Sequence, residues 1–433
     1  MSKQDLAFES YLKGNNIFIT GSGGTGKSFL IKKIYEDAIK KEKNISVTAL
    51  TGIAAILLEC NACTIHSWGG IGLGKGDIDT IIKKVSKSKF KSHNWYNTDI
   101  LIIDEISMMS SELFDLLNKL GQVLLKNNKP FGGIQIIMSG DFFQLPPVNS
   151  QYFCFESLNF LNCFTDIYCF NKIYRQSDVE FKKILINMRI GKISKQAISI
   201  LNNRIISQIE LNKILEKENI TRLVPTKLKA NKINKEKLNQ LINENKTYSR
   251  ELLEDKTNLS KIQKLKLEEM TYKEKEIEYN YIKNSTLTEE IIELKLNAFV
   301  MCIANLDIDK NIVNGSQGII IGFDYNSNPI VKFNNNITMV IEKHSWKSET
   351  IPGIFIKQIP LILAWSLTIH KAQGVTLDKI IIDVGNDIFE CGQMYVAFSR
   401  VKSIEGLYLE NFNINKLKIN NKVLDFYNNN NLI

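Results

Sequence analysis

The stretch Gly21-Ser22-Gly23-Gly24-Thr25-Gly26-Lys27-Ser28 decides the fold. The apolar run Ile17-Phe18-Ile19 leads into it, and Phe29-Leu30-Ile31-Lys32-Lys33-Ile34 follows with apolar residues at helical spacing. Strand, glycine-rich turn and helix are the context of a phosphate-binding P-loop. Glycines let the backbone turn tightly enough for several N–H groups to point at one anion, and the helix N-terminus adds its dipole. Lys27 is expected on the β- and γ-phosphates and Ser28 on Mg²⁺. A glycine-rich turn without a ligand is the bland alternative. Gly21, Gly26, Lys27 and Ser28, all in register after a strand, argue against it. The loop points to a nucleoside triphosphate and leaves open what its energy drives.

The chain has 433 residues, 44% hydrophobic and 23% charged, enough for several globular domains. Its net charge of +9 permits a polyanionic partner without requiring one. No apolar run reaches membrane-spanning length, and neither a secretory signal nor an Arg-rich transit peptide is visible at Met1. Seven scattered cysteines fit an intracellular, reducing setting. Cys60 and Cys63 form a CxxC without a second pair at zinc-ligand spacing, so packing is their expected role.

Ile45 to Leu50, Ile100 to Ile103 and Ile134 to Met138 read as further strands, the latter two as continuous apolar runs buried on both faces. Alternation with helices over about the first 170 residues predicts a doubly wound parallel sheet. Alternation resumes beyond Thr165. Residues 227 to 295, rich in Lys, Glu and Asn, read mostly as a solvated helix or linker. Short β-like runs between Leu294 and Phe333 predict a small inserted β-barrel, after which Leu361 to Leu407 returns to α/β character. Gly69 to Gly76 is glycine-rich and opens a small Lys-rich insertion.

Asp104-Glu105 ends the strand Ile100 to Ile103. Beside a P-loop, such a pair suits a Walker B element: Asp104 for Mg²⁺, Glu105 to polarise the attacking water. Gly140-Asp141-Phe142-Phe143-Gln144-Leu145-Pro146-Pro147 follows a third buried strand, and Gln144 is expected near the γ-phosphate. Phe142 and Phe143 are expected in the core. Arg175 and Arg400 each follow an apolar stretch and are candidate arginine fingers, expected in a second sheet domain facing the P-loop. Thr368-Ile369-His370-Lys371-Ala372-Gln373-Gly374 is dense in donors and reads as part of a site facing nucleotide or strand.

The whole set, in order, resembles the Pif-type (petite integration frequency) DNA helicases of superfamily 1, relatives of the RecD-like helicases. Gln4 falls where that family has its adenine-reading glutamine. Thr48 to Ala55 with Thr64-Ile65-His66-Ser67-Trp68 resembles its first strand-contacting motif. Asp104 to Met108 resembles its Walker B, and Phe114 to Val148 the stretch peculiar to it. Asn305-Leu306-Asp307 with Val313-Asn314-Gly315, and Leu363-Ala364-Trp365 leading into His370 to Gly374, complete the set. The arginines usual before the Phe-Gly-Gly-Ile-Gln run are absent from Leu120 to Lys126, Trp68 stands where phenylalanine is usual, and no long N-terminal extension is seen.

The resemblance implies an α/β fold of two RecA-like parallel-sheet domains, with a wedge insertion at about residues 70–95 and an inserted β-barrel. The expected division is 1–165, 166–244, 245–360 for the barrel with its helical lead-in, and 361–433. It implies ATP and Mg²⁺, with Gln4, Gln373 and Gly374 joining the P-loop at the nucleotide. Thr51, His66, Asn314, Gly315, Thr368 and His370 are implied on single-stranded DNA. It further implies a monomer that translocates 5′ to 3′ and unwinds forked DNA in replication, repair, recombination or telomere-type maintenance. A P-loop switch controlling a protein assembly and a superfamily 1 RNA helicase remain alternatives.

Overall fold

Each apolar strand near the P-loop serves two cores at once. In β1 (Ile17–Gly21), Phe18 faces one hydrophobic cluster while Ile17 and Ile19 face another. In β4 (Ile100–Asp104), Leu101 and Ile103 join the first cluster, and Ile100 and Ile102 the second. This alternation follows from the two-residue period of a strand covered on both faces. With β2 (Ile45–Ala49), β3 (Cys63–Thr64), β5 (Gln135–Gly140) and β6 (Asp166–Phe170), these strands form an all-parallel sheet of order β3-β2-β4-β5-β1-β6. The computed structural model describes residues 2–433 except Glu59, Leu73, Lys75, Asn149, Glu349 and Thr350. Leu73 and Lys75 of the glycine-rich stretch therefore lie outside the described residues.

The chain divides into two units: Met1–Arg204 with Ile388–Gly406 and Asn413–Ile433, and Ile205–Asp387 with Leu407–Phe412. This differs from the expected boundaries. The one at 165 cuts β6 from the sheet it completes, because β6 pairs with β1 along Asp166–Phe170. The one at 361 separates the C-terminal helix Asn421–Asn429 from its own core. Phe426 and Tyr427 of that helix pack on Phe142, and Phe426 also on Phe18, with centroids 5.6 to 6.4 Å apart. Burying such rings contributes about 1.5–3 kcal/mol each, which is why the helix stays with the first sheet. Phe142 and Phe143 are core residues, as expected, and Cys60 is buried.

The helices at residues 78–86 and 89–96 form the small insertion. Trp95 is buried against Trp68, centroids 4.5 Å apart, and its indole N–H donates to the Gly69 carbonyl. The Pro130–Gly133 turn packs on the helix Ser111–Leu125, with the Phe131 N–H donated to Asn118 Oδ1 at 2.9 Å.

The second unit holds a four-stranded parallel sheet, in order Ser366–Thr368, Thr221–Val224, Ile380–Val384, Leu407–Phe412. The expected small barrel takes the form of a five-stranded antiparallel sheet. Its outer strands, Thr338–Val340 and Leu361–Leu363, do not pair with each other among the described residues. The Lys- and Glu-rich stretch is more ordered than a linker. Lys246–Ser249 pairs with Ile291–Leu294, and Glu251–Glu254 with Ile354–Gln358.

Candidate active site

The parallel sheet brings three strand ends together. β1, β5 and β4 are neighbours, with Thr20 opposite Gly140 and Ile103 opposite Met138, so the P-loop, the Asp141–Gln144 turn and Asp104-Glu105 leave the same edge. A βα unit of a parallel sheet places its C-terminal strand ends where ligands bind.

Gly21 has φ 136° at the end of β1, and Gly26 has φ 86° where it caps the helix Lys27–Lys40. The Thr25 hydroxyl closes the loop on the Ser22 carbonyl at 2.8 Å. The Lys27 ammonium folds back onto the carbonyls of Gly21 (2.6 Å) and Ser22 (3.0 Å). Burial lowers its pKa, while Asp141, Glu105 and Asp104 oppose that shift. Ser28 is exposed at the helix start. Gln4 lies against the loop, its Nε2 donating to the Thr25 carbonyl at 3.1 Å.

Asp104 is 6% exposed, and burial raises its pKa. The Ser139 hydroxyl lies beside it and the Lys27 charge partly offsets the shift. A buried carboxylate that forms no ion pair with a side-chain cation among the described residues is suited to a divalent cation, and Asp104 and Ser28 are the side chains expected to hold one. Glu105 holds φ 55°, a left-handed conformation uncommon for glutamate and concentrated at functional sites. Gln144 is 5% exposed, at the end of the turn opened by Asp141.

Arg175 and Arg400 depart from expectation. Both belong to the P-loop's own unit and not to a second sheet domain. The segment after β6 crosses the loop, and the Tyr174 and Arg175 N–H groups both bond the Gly24 carbonyl, at 2.8 and 3.4 Å. The helix Gln393–Phe398 delivers Arg400 to the same place. A Cβ on Gly23 would lie 3.7 Å from Arg175 Nη1 and 3.7 Å from Arg400 Nη2. Neither guanidinium pairs with a carboxylate among the described residues. Arg175 Nη1 donates to the Ser399 carbonyl at 3.2 Å, and Arg400 donates to the Val396 carbonyl and the Ser399 hydroxyl. Burial, then the neighbouring Arg175, lowers the Arg400 pKa. Two desolvated like charges at one glycine make a site for an anion.

Thr51 and His66 also lie in the first unit. The Thr51 hydroxyl accepts the Ala54 N–H at 3.2 Å. His66 lines an open cavity of about 580 Å³ with Leu50, Met108, Glu112, Pro147 and Tyr152, and burial lowers its pKa. Asn314, Gly315, Thr368, His370, Gln373 and Gly374 belong to the second unit. There Asn314 is 6% exposed and its side-chain amide has no hydrogen-bond partner among the described residues. The Thr368 hydroxyl accepts the Lys371 N–H at 3.2 Å.

Three functional candidates escaped the sequence. Arg189 clamps Asp141 through Nε and Nη2 at 2.8 to 3.0 Å, both side chains buried. Tyr427 reaches the same carboxylate. Tyr395 bonds the P-loop itself. Asp141 stands in the Gly140 to Pro147 motif and Tyr395 opens the apolar stretch that precedes Arg400, whereas Arg189 and Tyr427 arrive from distant helices with no local signal.

Comparison with known proteins bears on this site. The PIF1-like helicase family matches residues 4–198, and the DNA helicase Pif1 2B domain matches residues 279–323. The chain is 33% identical to the Pif1 helicase from Candida albicans in its crystal structure, with a TM-score of 0.80 and 99% of both chains covered. The chain belongs to the PIF1-like helicase family. It is also 34% identical to the ATP-dependent DNA helicase PIF1 of Xenopus laevis, over 98% of this chain and 64% of that protein. The chain thus spans 64% of the length of that relative. The Pif1 helicase from Bacteroides, crystallised with ADP-AlF3 and single-stranded DNA, is 28% identical, with a TM-score of 0.69 over 100% of this chain and 98% of that one. In this PIF1-like helicase, Gln4, the P-loop, Asp104, Gln144, Arg175 and Arg189 fall inside the first matched stretch. Tyr395 and Arg400 lie outside both.

Proposed function

We propose that this PIF1-like helicase is an ATP-driven DNA motor that moves 5′ to 3′ on single-stranded DNA and unwinds duplex at forks. One observation carries the reading: the P-loop, Asp104-Glu105, the Gln144 turn and two guanidiniums without a carboxylate partner among the described residues converge within one compact unit. That set has the groups phosphoryl transfer needs. The relatives' DNA-helicase names and the DNA-bound Bacteroides structure support the substrate class. The polarity rests on membership of the family.

In this reading the Gly23 to Ser28 backbone cradles the phosphates and Gln4 contacts the base. Lys27 exchanges its loop carbonyls for phosphate oxygens. Glu105 orients the attacking water and Gln144 senses the γ-phosphate. Arg175 and Arg400 meet the charge redistributed during transfer. Mg²⁺, held by Ser28 and Asp104, would neutralise charge on the phosphate oxygens. Thr51, His66, Asn314, Gly315, Thr368 and His370 contact the strand, with Gln373 and Gly374 at the nucleotide. Strand binding of this kind has little sequence readout and weakens as salt rises. The protein acts as a monomer inside the cell.

The deciding experiment is ATPase activity with no nucleic acid, single-stranded DNA or RNA, followed by unwinding of duplexes with a 5′ or a 3′ tail. DNA-stimulated hydrolysis and unwinding from the 5′ tail are expected. No stimulation would point to an assembly switch, stimulation by RNA alone to an RNA helicase, and unwinding from the 3′ tail alone would overturn the polarity.

A further inference from the structure

Asp141 has two jobs that its place after β5 does not explain. Its carbonyl accepts the Gln144 N–H at 2.9 Å and its Oδ1 accepts the Phe143 N–H at 3.3 Å, so its backbone and side chain together shape the turn that carries Gln144. The same carboxylate, fully buried, is gripped by Arg189 from the end of the helix Val179–Arg189. The rings of Phe143 and Tyr427 lie 4.6 and 5.0 Å from the guanidinium carbon and 4.8 Å from each other, so they adjoin one another beside it. The Tyr427 hydroxyl completes the set. It pairs with the Thr20 hydroxyl, accepts the Phe142 N–H at 3.3 Å and lies 3.5 Å from Asp141 Oδ1. Thr20 directly precedes Gly21.

We infer that Arg189 and Tyr427 are positioning residues for the nucleotide site, locking the Gln144 turn to the strand end that begins the P-loop so that the γ-phosphate is recognised. They touch no part of the P-loop cradle in the described structure and act through Asp141 and Thr20. A buried ion pair is a weak source of net stability. Its planar two-pronged grip and the two adjoining aromatic rings instead fix one geometry, which lysine lacks the fork to reproduce. The inference rests on the proposed ATPase reading, because it assumes that Gln144 senses the γ-phosphate.

The test measures affinity for a non-hydrolysable ATP analogue and for ADP, with thermal unfolding alongside, in Arg189→Lys, Tyr427→Phe, Gln144→Ala and the pairwise combinations. Positioning predicts ADP affinity within about threefold of wild type, with the preference for the analogue over ADP reduced about tenfold in Arg189→Lys and about threefold in Tyr427→Phe. Combined with Gln144→Ala, either change should add little further, since residues acting through one turn are non-additive. A lowered melting temperature with the preference intact, or effects that multiply with Gln144→Ala, would overturn the inference and leave a structural ion pair. If Arg189→Lys does not fold, the near-isosteric Tyr427→Phe decides by the same criteria. Wild-type protein with no preference for the analogue would instead overturn the ATPase reading, which separates the two failures.

Discussion

The Tyr395 hydroxyl accepts the Gly23 N–H at 2.9 Å, joining residues 372 positions apart in the chain. Burial pushes the Tyr395 phenol up to about 12, so it is neutral at physiological pH and bonds the loop as a hydroxyl. Tyr395 sits on the helix Gln393–Phe398, and that helix ends beside Ser399 and Arg400. The contact therefore fixes where the Arg400 guanidinium stands relative to the P-loop, and the consequences for catalysis start there.

Arg400→Lys should keep ADP affinity and single-strand affinity near wild type and lose about 10³ or more in DNA-stimulated hydrolysis, the range attached to arginine fingers. Arg175→Lys should behave similarly. In wild type, a non-hydrolysable ATP analogue should raise the melting temperature more than ADP at equal free concentration, because the γ-phosphate relieves the repulsion between the two guanidiniums and tightens binding. In Arg400→Ala the two shifts should converge. ATPase within a few-fold of wild type in both lysine variants would remove these arginines from the site.

Lys27→Ala should abolish hydrolysis, since the loop loses the cation that meets the β- and γ-phosphates. Glu105→Gln should bind the ATP analogue normally and hydrolyse slowly, because Asp104 remains for the metal while the water loses its orienting carboxylate. Equilibrium binding and single-turnover hydrolysis separate the two variants. Weak binding in Glu105→Gln would show the carboxylate roles reversed.

His66 gives a pH test. Burial depresses its folded pKa below the ordinary 6.5, so the unfolded chain takes up the proton first. Stability is fully present above about pH 6.5 and falls as pH drops from there toward the folded value, by at most about 1.4 kcal/mol per pH unit. Urea midpoints at pH 7.5 and 5.5 should therefore diverge more in wild type than in His66→Gln. His66→Ala should also weaken single-strand binding with ATP affinity nearly unchanged. Unaltered strand binding would make His66 a structural residue of that cavity wall.

Gly21→Ala should destabilise the first unit more than Gly14→Ala. Both glycines have positive φ, 136° and 80°, so both substitutions are strained. Only at Gly21 would the new Cβ meet backbone, 2.3 Å from the Phe170 carbonyl oxygen, whereas nothing lies within 4 Å at Gly14. Gly14→Ala should cost about 1 kcal/mol and Gly21→Ala about 2 kcal/mol more, because the β1–β6 pairing cannot give way cheaply. Chemical denaturation of the two variants checks the difference.

The sequence by itself determined the parallel sheet around the P-loop and which groups stand at its strand ends. Continuous apolar runs such as Ile100 to Ile103 can be satisfied only by cover on both faces, and Gly21 to Ser28 and Asp104-Glu105 carry their chemistry in adjacent residues. Phe142 and Phe143 were legible as core for the same reason. The tertiary structure decided what distant segments add. Arg175 and Arg400 were legible as candidates, but their unit was not, because that depends on β6 pairing with β1 and on the helix Gln393–Phe398 bonding Gly23. Arg189 and Tyr427 left no trace in the sequence. A lone arginine at a helix end and a tyrosine near the C-terminus become a network only when Asp141 is buried between them and its charge must be matched. Local pattern encodes which backbone can form, while long-range packing chooses which side chains must share a buried space.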